Sequence, residues 1–225
     1  MHIVTTVFNK RRSFSHEKII QYPKYGWDIR KGMKLNVFIK SLVLNDAIFW
    51  FSNYLFLSIA SIHISKNMIN GSTLTAGVSF GTYFLFRGFT DLISPYLHKR
   101  LNNKYKIIVL TMCILIVSIA FLLLSFVHNA YFAILLFAII GISIGVYNPI
   151  KYAFFSQHLD RNKEEKEWGL IDGLGLISIA LASYFGSYLA ETIGFVYLLR
   201  VSSLVFLLST LPLLLTLPRL RKYIL

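Results

Sequence analysis

Charged side chains inside long apolar segments are the residues of this sequence whose types and spacing could do chemistry. Asp46 lies in the first apolar segment, roughly 14 Å deep at the 1.5 Å rise of a helix, and Arg87 lies at a similar depth in the second. Asp91 follows Arg87 by four residues and so shares its helix face. Because a charge inside a bilayer is costly, we interpret Lys40, Asp46, Arg87 and Asp91 as an intramembrane charge network.

Two interpretations of this network remain open. It could line a substrate path and respond to protonation or to a ligand, or it could be a structural ion pair that satisfies Arg87. Asp46, Trp50 and Asn53 fall on one helical stripe, which suits a cavity face and equally suits a helix-packing face. With Arg87 and Asn148, these three residues are the candidate substrate contacts.

Residue patterns for enzymatic chemistry and cofactor binding are weak. The chain has 1 cysteine, Cys113, which excludes an internal disulfide framework and a zinc site built on several thiolates. Asp46, Asp91 and Asp172 lie in three different apolar segments, so they do not form a metal-binding face on one helix. Neither a glycine-rich phosphate loop nor a His-Glu-x-x-His motif is present. We therefore predict no enzymatic activity, no cofactor and no metal site.

The elements that position these residues are six apolar segments, each long enough to cross a bilayer as a helix. The composition agrees, since 56% of the residues are hydrophobic, 15% are charged and the mean hydropathy is +0.61. Short connections predict that neighbouring helices run antiparallel. The predicted spans are residues 37–62, 74–96, 107–127, 130–155, 169–190 and 195–217.

The distribution of basic residues predicts the orientation of these spans. Of the 23 lysines and arginines, 19 fall on one side of the predicted membrane, and Lys66 is alone on the other. The positive-inside rule then places both termini in the cytoplasm of a multi-pass protein of the cell membrane. It also defines a basic N-terminal tail, residues 1–34, and a short C-terminal tail, residues 218–225. The net charge of +13 therefore reports orientation, and we predict no nucleic-acid partner.

Small residues and a proline interrupt the fourth and fifth segments. Gly141 and Gly145 are spaced by four residues, which lets a neighbouring helix approach closely. Pro149 is expected to kink or interrupt its helix, and the carbonyl group that it frees needs a partner. With Gly173 and Gly175, these residues are our candidates for helix kinks and gating.

These segments together resemble one half of a major facilitator superfamily transporter. The run from Gly141 to Ala153 resembles the glycine-spaced fourth or tenth helix of that family, and residues 169–195 resemble the helix and short loop that follow it. The loop residues Ser94, His98, Lys99 and Arg100 occupy the place of the family's cytoplasmic loop motif. This loop departs from the family pattern, because His98 stands at the aspartate position and Ser94 at a glycine position.

The resemblance implies an all-α, polytopic membrane protein whose six helices form 3+3 inverted repeats. The family usually has about twelve spans in two parallel halves. We therefore expect this chain to pair in the lipid bilayer, either with a second copy of itself as a parallel C2 homodimer or with a separate half-transporter. The expected function is transport of a small solute by alternating access. The alternative is a membrane scaffold or assembly factor that derives from a transporter half and no longer transports.

Overall fold

The computed structural model describes residues 37–224, with side chains described for residues 37–215. The predicted basic tail at residues 1–34 lies outside this part of the chain. The described residues form seven α-helices and no β-strand, in agreement with the all-α prediction. The helices are α1 (Val37–Leu57), α2 (Ala60–Asn67), α3 (Thr73–His98), α4 (Asn103–Leu124), α5 (Ala130–Gln157), α6 (Glu164–Ile193) and α7 (Phe195–Ile224).

Each of the six long helices corresponds to one predicted span. The first span differs most, because a turn at Ser58 and Ile59 separates α1 from the short helix α2. The predicted C-terminal tail differs as well, since α7 continues to Ile224. By length and composition alone, five helical segments are long and apolar enough to cross a membrane, and the first of them joins α1 and α2. The helix missing from this set is α3, whose sequence contains Arg87, Asp91 and several glycine and hydroxyl residues.

Polar side chains define where several helices begin. Ser72 and Thr75 form a reciprocal capping box at the start of α3. Asn102 and Asn129 accept backbone hydrogen bonds at the starts of α4 and α5. At the end of the bundle where α3 and α5 begin, the backbone N–H of Ile69 donates to the His128 carbonyl at 2.7 Å, so the loop before α3 is tied to the loop before α5. These loops fix the ends of helices that carry the buried polar residues.

The helix contacts follow the pattern expected of two equivalent triplets. Within the described residues, α3 packs most extensively on α5, and α1 packs on α6. Exchanging the first triplet (α1, α3, α4) with the second (α5, α6, α7) converts one of these pairs into the other. The contacts of α1 with α7 and of α5 with α4 are related in the same way, and α4 packs on α7. This arrangement agrees with the 3+3 repeat that the resemblance implies.

Pro149 does not interrupt its helix as one form of the prediction held, because α5 continues through it to Gln157. A proline cannot donate to the carbonyl four residues earlier, which here belongs to Gly145. The Ser94 hydroxyl of α3 donates to that carbonyl at 3.2 Å. The partner that the sequence required is therefore supplied by the neighbouring helix, and α5 can remain continuous.

Candidate functional site

A buried ion pair between α1 and α5 is the centre of the candidate site. The Lys151 ammonium group lies 2.5 Å from a carboxylate oxygen of Asp46. The side chains are 1% and 6% exposed, so both charges are removed from the bilayer and from water. Desolvation makes such a pair costly to form and more costly to break, because removing one partner leaves an uncompensated charge. The pair therefore joins two helices that otherwise make few contacts.

This pairing corrects the predicted charge network. Asp46 was predicted at the depth of Arg87, and Lys151, near the end of the predicted fourth span, was counted among the 19 basic residues of the cytoplasmic side. In the structure Asp46 pairs with Lys151, which lies within α5 and ahead of its final turn. A helical side chain leans toward the N-terminus of its helix, so the long Lys151 stem reaches back into the bundle. Lys40, a predicted member of the network, is exposed on α1.

Arg87 occupies the neighbouring position on α3 with looser partners. Its Nε lies 3.8 Å from an Asp91 oxygen, as the i,i+4 spacing predicted. One terminal nitrogen donates to the Tyr83 hydroxyl at 3.3 Å. The side chains of Arg87 and Asp91 are 23% and 36% exposed, so this pair is much more accessible than Asp46 and Lys151.

Trp50 connects the two charge pairs. Its ring lies 5.4 Å from the Arg87 guanidinium carbon and 5.8 Å from the Lys151 ammonium nitrogen. Tyr152 lies 4.3 Å from the same ammonium group, so aromatic faces surround the lysine charge. The prediction that Asp46 and Trp50 share a face is consistent with this geometry. We define the charge cluster as Asp46, Trp50, Arg87, Asp91 and Lys151.

A second polar tie between α1 and α5 was not anticipated. The Tyr147 hydroxyl donates to the Asn45 side-chain carbonyl at 2.5 Å, and the Asn45 amide donates to the Ser209 carbonyl of α7 at 2.6 Å. Tyr147 and Lys151 are one turn apart on α5, and their acceptors Asn45 and Asp46 are adjacent on α1. The signal in the sequence was the four-residue spacing of Tyr147 and Lys151, which becomes informative only once α1 is known to face it.

The two remaining polar candidates, Asn53 and Asn148, are buried, and each lies one turn along its helix from a residue of the charge cluster. Asn53 is fully buried and its side chain interacts with the Tyr83 hydroxyl, although neither amide atom makes a hydrogen bond of normal geometry. Asn148 is 3% exposed and its side-chain oxygen has no hydrogen-bond partner in the described residues. Both amides therefore retain hydrogen-bonding capacity that the described part of the protein does not use.

The predicted gating residues have three different environments. A side chain at Gly141 or Gly145 would collide with the α3 backbone around Tyr83 and Arg87. Gly175 faces the charge cluster, since a methyl group there would lie 3.7 Å from an Asp46 oxygen and 3.8 Å from Trp50. Gly173 faces open space.

The residues of the predicted loop motif divide between helix and turn. Ser94 is buried in α3 and holds the Gly145 carbonyl, and His98 is the last residue of that helix. Lys99 and Arg100 are exposed in the short turn before α4. The motif had suggested that Ser94 belongs to the loop between the helices. In the structure it is a helix-packing residue of α3.

One motif resembles a hydrolase signature but has a structural role. Residues 141–145 read Gly-x-Ser-x-Gly, and their serine, Ser143, is 4% exposed within α5. Its hydroxyl donates to the Ile139 carbonyl at 2.9 Å, which is ordinary helix bonding rather than a strained turn that exposes a nucleophile. Among the described residues, no group of three or more His, Cys, Asp or Glu side chains is arranged to hold a metal ion.

The charge cluster lies between the two least buried long helices. In the most apolar stretch of α6, 22% of the residues are buried, against 50% in the corresponding stretch of each of the other span candidates. Most large apolar residues of α3 are also exposed. Because α3 packs on α5 and α6 packs on α1, the four helices form one face of the bundle, with the charge cluster among them.

Comparison with known proteins identifies a family and a solved structure that match this chain. A family model described as Major Facilitator Superfamily matches residues 27–224. The crystal structure of PepTSo, described as a POT family transporter, matches with a TM-score of 0.66 at 16% sequence identity. The match covers 84% of this chain and 38% of the PepTSo chain, so the present chain spans well under half of that protein. No curated protein sequence matches the chain significantly.

Proposed function

Because the chain belongs to the major facilitator superfamily, we propose that it carries a small solute across the cell membrane by alternating access. The observation that carries the proposal is the charge cluster, which places two basic side chains and two aspartates inside the helix bundle. Intramembrane charges of this kind are costly and are typical of substrate or ion paths. Their position between α3 and α6 puts them on a face that a second bundle could cover.

The chain covers 38% of the length of PepTSo. We propose that a second copy of the chain completes the path as a parallel C2 homodimer, with a separately encoded half as the variation. Gly77, Gly81 and Gly88 of α3 support this proposal, since they face open space at spacings that suit close helix packing. In either arrangement both termini lie in the cytoplasm, as the positive-inside rule predicts.

In this mechanism the two bundles rock against each other around the charge cluster. Arg87, Asn53 and Asn148 supply polar contacts for the solute, and Asp46 acts by holding Lys151 beside them. The ties from α1 to α5 keep each bundle rigid, so that motion is confined to the surface between bundles. Trp50 holds the two charge pairs at a fixed separation during the cycle.

Uptake into proteoliposomes tests the proposal. Purified protein is reconstituted and assayed with a panel of radiolabelled metabolites, with and without a proton gradient. We expect saturable uptake of at least one solute, and a large loss of uptake in Asp46→Asn and Arg87→Ala. Asp160→Asn is the control, because Asp160 lies in the turn before α6 and pairs with Lys163 at partly exposed positions.

Each outcome of this assay has a distinct meaning. Uptake that is indifferent to Asp46→Asn and Arg87→Ala would remove these residues from the mechanism while leaving transport in place. No uptake of any solute class by folded protein would favour the scaffold or assembly-factor alternative. Native mass spectrometry in mild detergent tests the partner separately, and a spectrum with monomer alone would contradict the homodimer.

A further inference from the structure

We infer that the transported solute carries an anionic group, a carboxylate or a phosphate, and that Arg87 binds it. This inference rests on the proposed transport function and adds a substrate class to it. It depends on the difference between the two basic side chains of the charge cluster, which have similar surroundings but different degrees of charge compensation.

Lys151 is fully committed within the protein. Its ammonium group lies 2.5 Å from Asp46, and the side chain is 1% exposed. The rings of Trp50, Tyr147 and Tyr152 lie within 5.8 Å of the same nitrogen. A solute could reach this charge only by displacing Asp46 from a short, dry contact. Lys151 is therefore a structural cation and a poor first contact for a ligand.

Arg87 is held in place but is only partly used. A guanidinium group has five N–H donors in a planar fork. Among the described residues one terminal nitrogen donates to Tyr83, at 3.3 Å, and Asp91 is 3.8 Å from Nε, which is beyond hydrogen-bond distance. The Trp50 ring lies 5.4 Å from the guanidinium carbon and restrains its position. The remaining donors suit a carboxylate or phosphate, which can accept two parallel hydrogen bonds from arginine.

Arg87 is also more accessible than the other basic side chain of the cluster, Lys151. Its side chain is 23% exposed on α3, whose apolar surface is largely open. One Asp91 oxygen is buried without a hydrogen bond, but the Asp91 side chain as a whole is 36% exposed. Asp91 and Asp172, which is exposed on α6, are the acidic side chains that could attract a cationic solute instead. The test therefore includes a cation.

The fluorescence of Trp50 provides a binding assay that does not depend on transport. The chain contains 3 tryptophans, so Trp27→Phe with Trp168→Phe leaves Trp50 as the single reporter beside Arg87. In detergent, this background is titrated with lactate, succinate and inorganic phosphate, with lactamide as a neutral isostere and choline as a cation. We expect at least one anion to change the emission saturably, and lactamide and choline to have no effect.

Substitutions at Arg87 give the decisive comparison. In the same background we expect Arg87→Gln to weaken anion binding about tenfold or more, because charge-assisted hydrogen bonds are lost. The anion affinity of Arg87→Lys should lie between those of Arg87→Gln and the unsubstituted background, since lysine keeps the charge but lacks the planar fork. Arg200→Gln is the matched control, because Arg200 also stacks on aromatic rings, at 5.2 Å from Phe126 and 5.7 Å from Tyr197, but belongs to α7.

Four results would overturn the inference. The first three are a saturable response to lactamide that equals the response to lactate, anion binding that Arg87→Gln leaves unchanged, and the absence of a saturable response to any of the three anions, with or without a response to choline. A protein that transports a neutral or cationic solute while binding no anion would also overturn it, and the proposed function would stand. Anion binding that is sensitive to Arg87→Gln, in a protein that moves no solute, would retain the binding site and contradict transport.

Discussion

The α3–α5 pair and the α1–α6 pair occupy equivalent positions in the two triplets, but their helices approach each other in different ways. On α5, Gly141 and Gly145 lie one turn apart directly against the α3 backbone, at the depth of Arg87. On α6, Gly186 contacts the Leu55 backbone of α1 near the far end of that helix. At the depth of Asp46 the α6 residue is Gly175, which leaves ordinary van der Waals space.

The difference suggests that the charge cluster has one tight wall and one looser wall. The α3–α5 pair is fixed by backbone contact and by the Ser94 hydrogen bond to Gly145, so Arg87 has little freedom to move with respect to α5. In the α1–α6 pair the glycine that meets the opposing backbone, Gly186, lies beyond the cluster. The Asp46–Lys151 ion pair joins the two walls, since it links α1 to α5. We expect substitutions to rank accordingly.

The largest effect is expected when the ion pair between the walls is broken. Asp46→Leu or Lys151→Met alone should each lower the free energy of unfolding by about 3–5 kcal/mol, because each leaves a buried charge without a partner. The double variant should recover most of this loss. Cys113, the chain's 1 cysteine and 6% exposed, can report unfolding in detergent through its reaction with a thiol-specific dye.

The exposed pair between Asp160 and Lys163 supplies the matched control. Its atoms are 2.9 Å apart, but the side chains are 33% and 40% exposed, respectively. Asp160→Asn should leave the unfolding midpoint unchanged, because water screens both charges. If the two single variants in the buried pair behaved like this control, the ion pair would not be what joins the walls.

A smaller effect is expected when the tight wall is forced apart. In Gly145→Ala, the new methyl group would lie 2.6 Å from the Arg87 carbonyl oxygen and 2.7 Å from the Thr90 Cβ, so α3 must shift. Overpacking of this kind costs about 1–3 kcal/mol, partly offset by the better helix propensity of alanine. Gly169→Ala, where the added methyl meets open space, should be neutral or slightly stabilising. Equal midpoints for the two variants would contradict a tight α3–α5 wall.

The sequence was sufficient for the helices but not for their rotation. A helix that crosses a bilayer must be apolar over most of its length, so hydropathy located six long helices to within a few residues at most ends. The partner of Asp46 depends instead on which faces of α1, α3 and α5 meet. A shift of one residue turns a helix face by about 100° and would select a different partner. Arg87 and Asp91 were predicted correctly because their contact lies within one helix.

Residues near helix ends were the hardest to assign. Lys151 was counted with the basic residues of the cytoplasmic side because a charge close to the end of an apolar run normally reaches water, and nothing in the run itself marks it as buried. Ser94 was placed in a loop motif because of the resemblance to the family pattern. Its actual role follows from Pro149 on another helix, whose missing N–H leaves the Gly145 carbonyl to be satisfied. Both assignments required knowledge of a neighbour that is distant in sequence.

The smallest effect is expected at the looser wall, and it sharpens the comparison most. Gly175→Ala places a methyl group 3.7 Å from Asp46 and 3.8 Å from Trp50, at normal contact distances. Gly173→Ala, two residues earlier on α6, meets open space. Both variants should gain helix propensity, up to about 1 kcal/mol, so their unfolding midpoints should agree closely. The emission of Trp50 in the single-tryptophan background should shift for Gly175→Ala alone. A large loss of stability in Gly175→Ala would show that α6 packs against the charge cluster as tightly as α3 packs against α5.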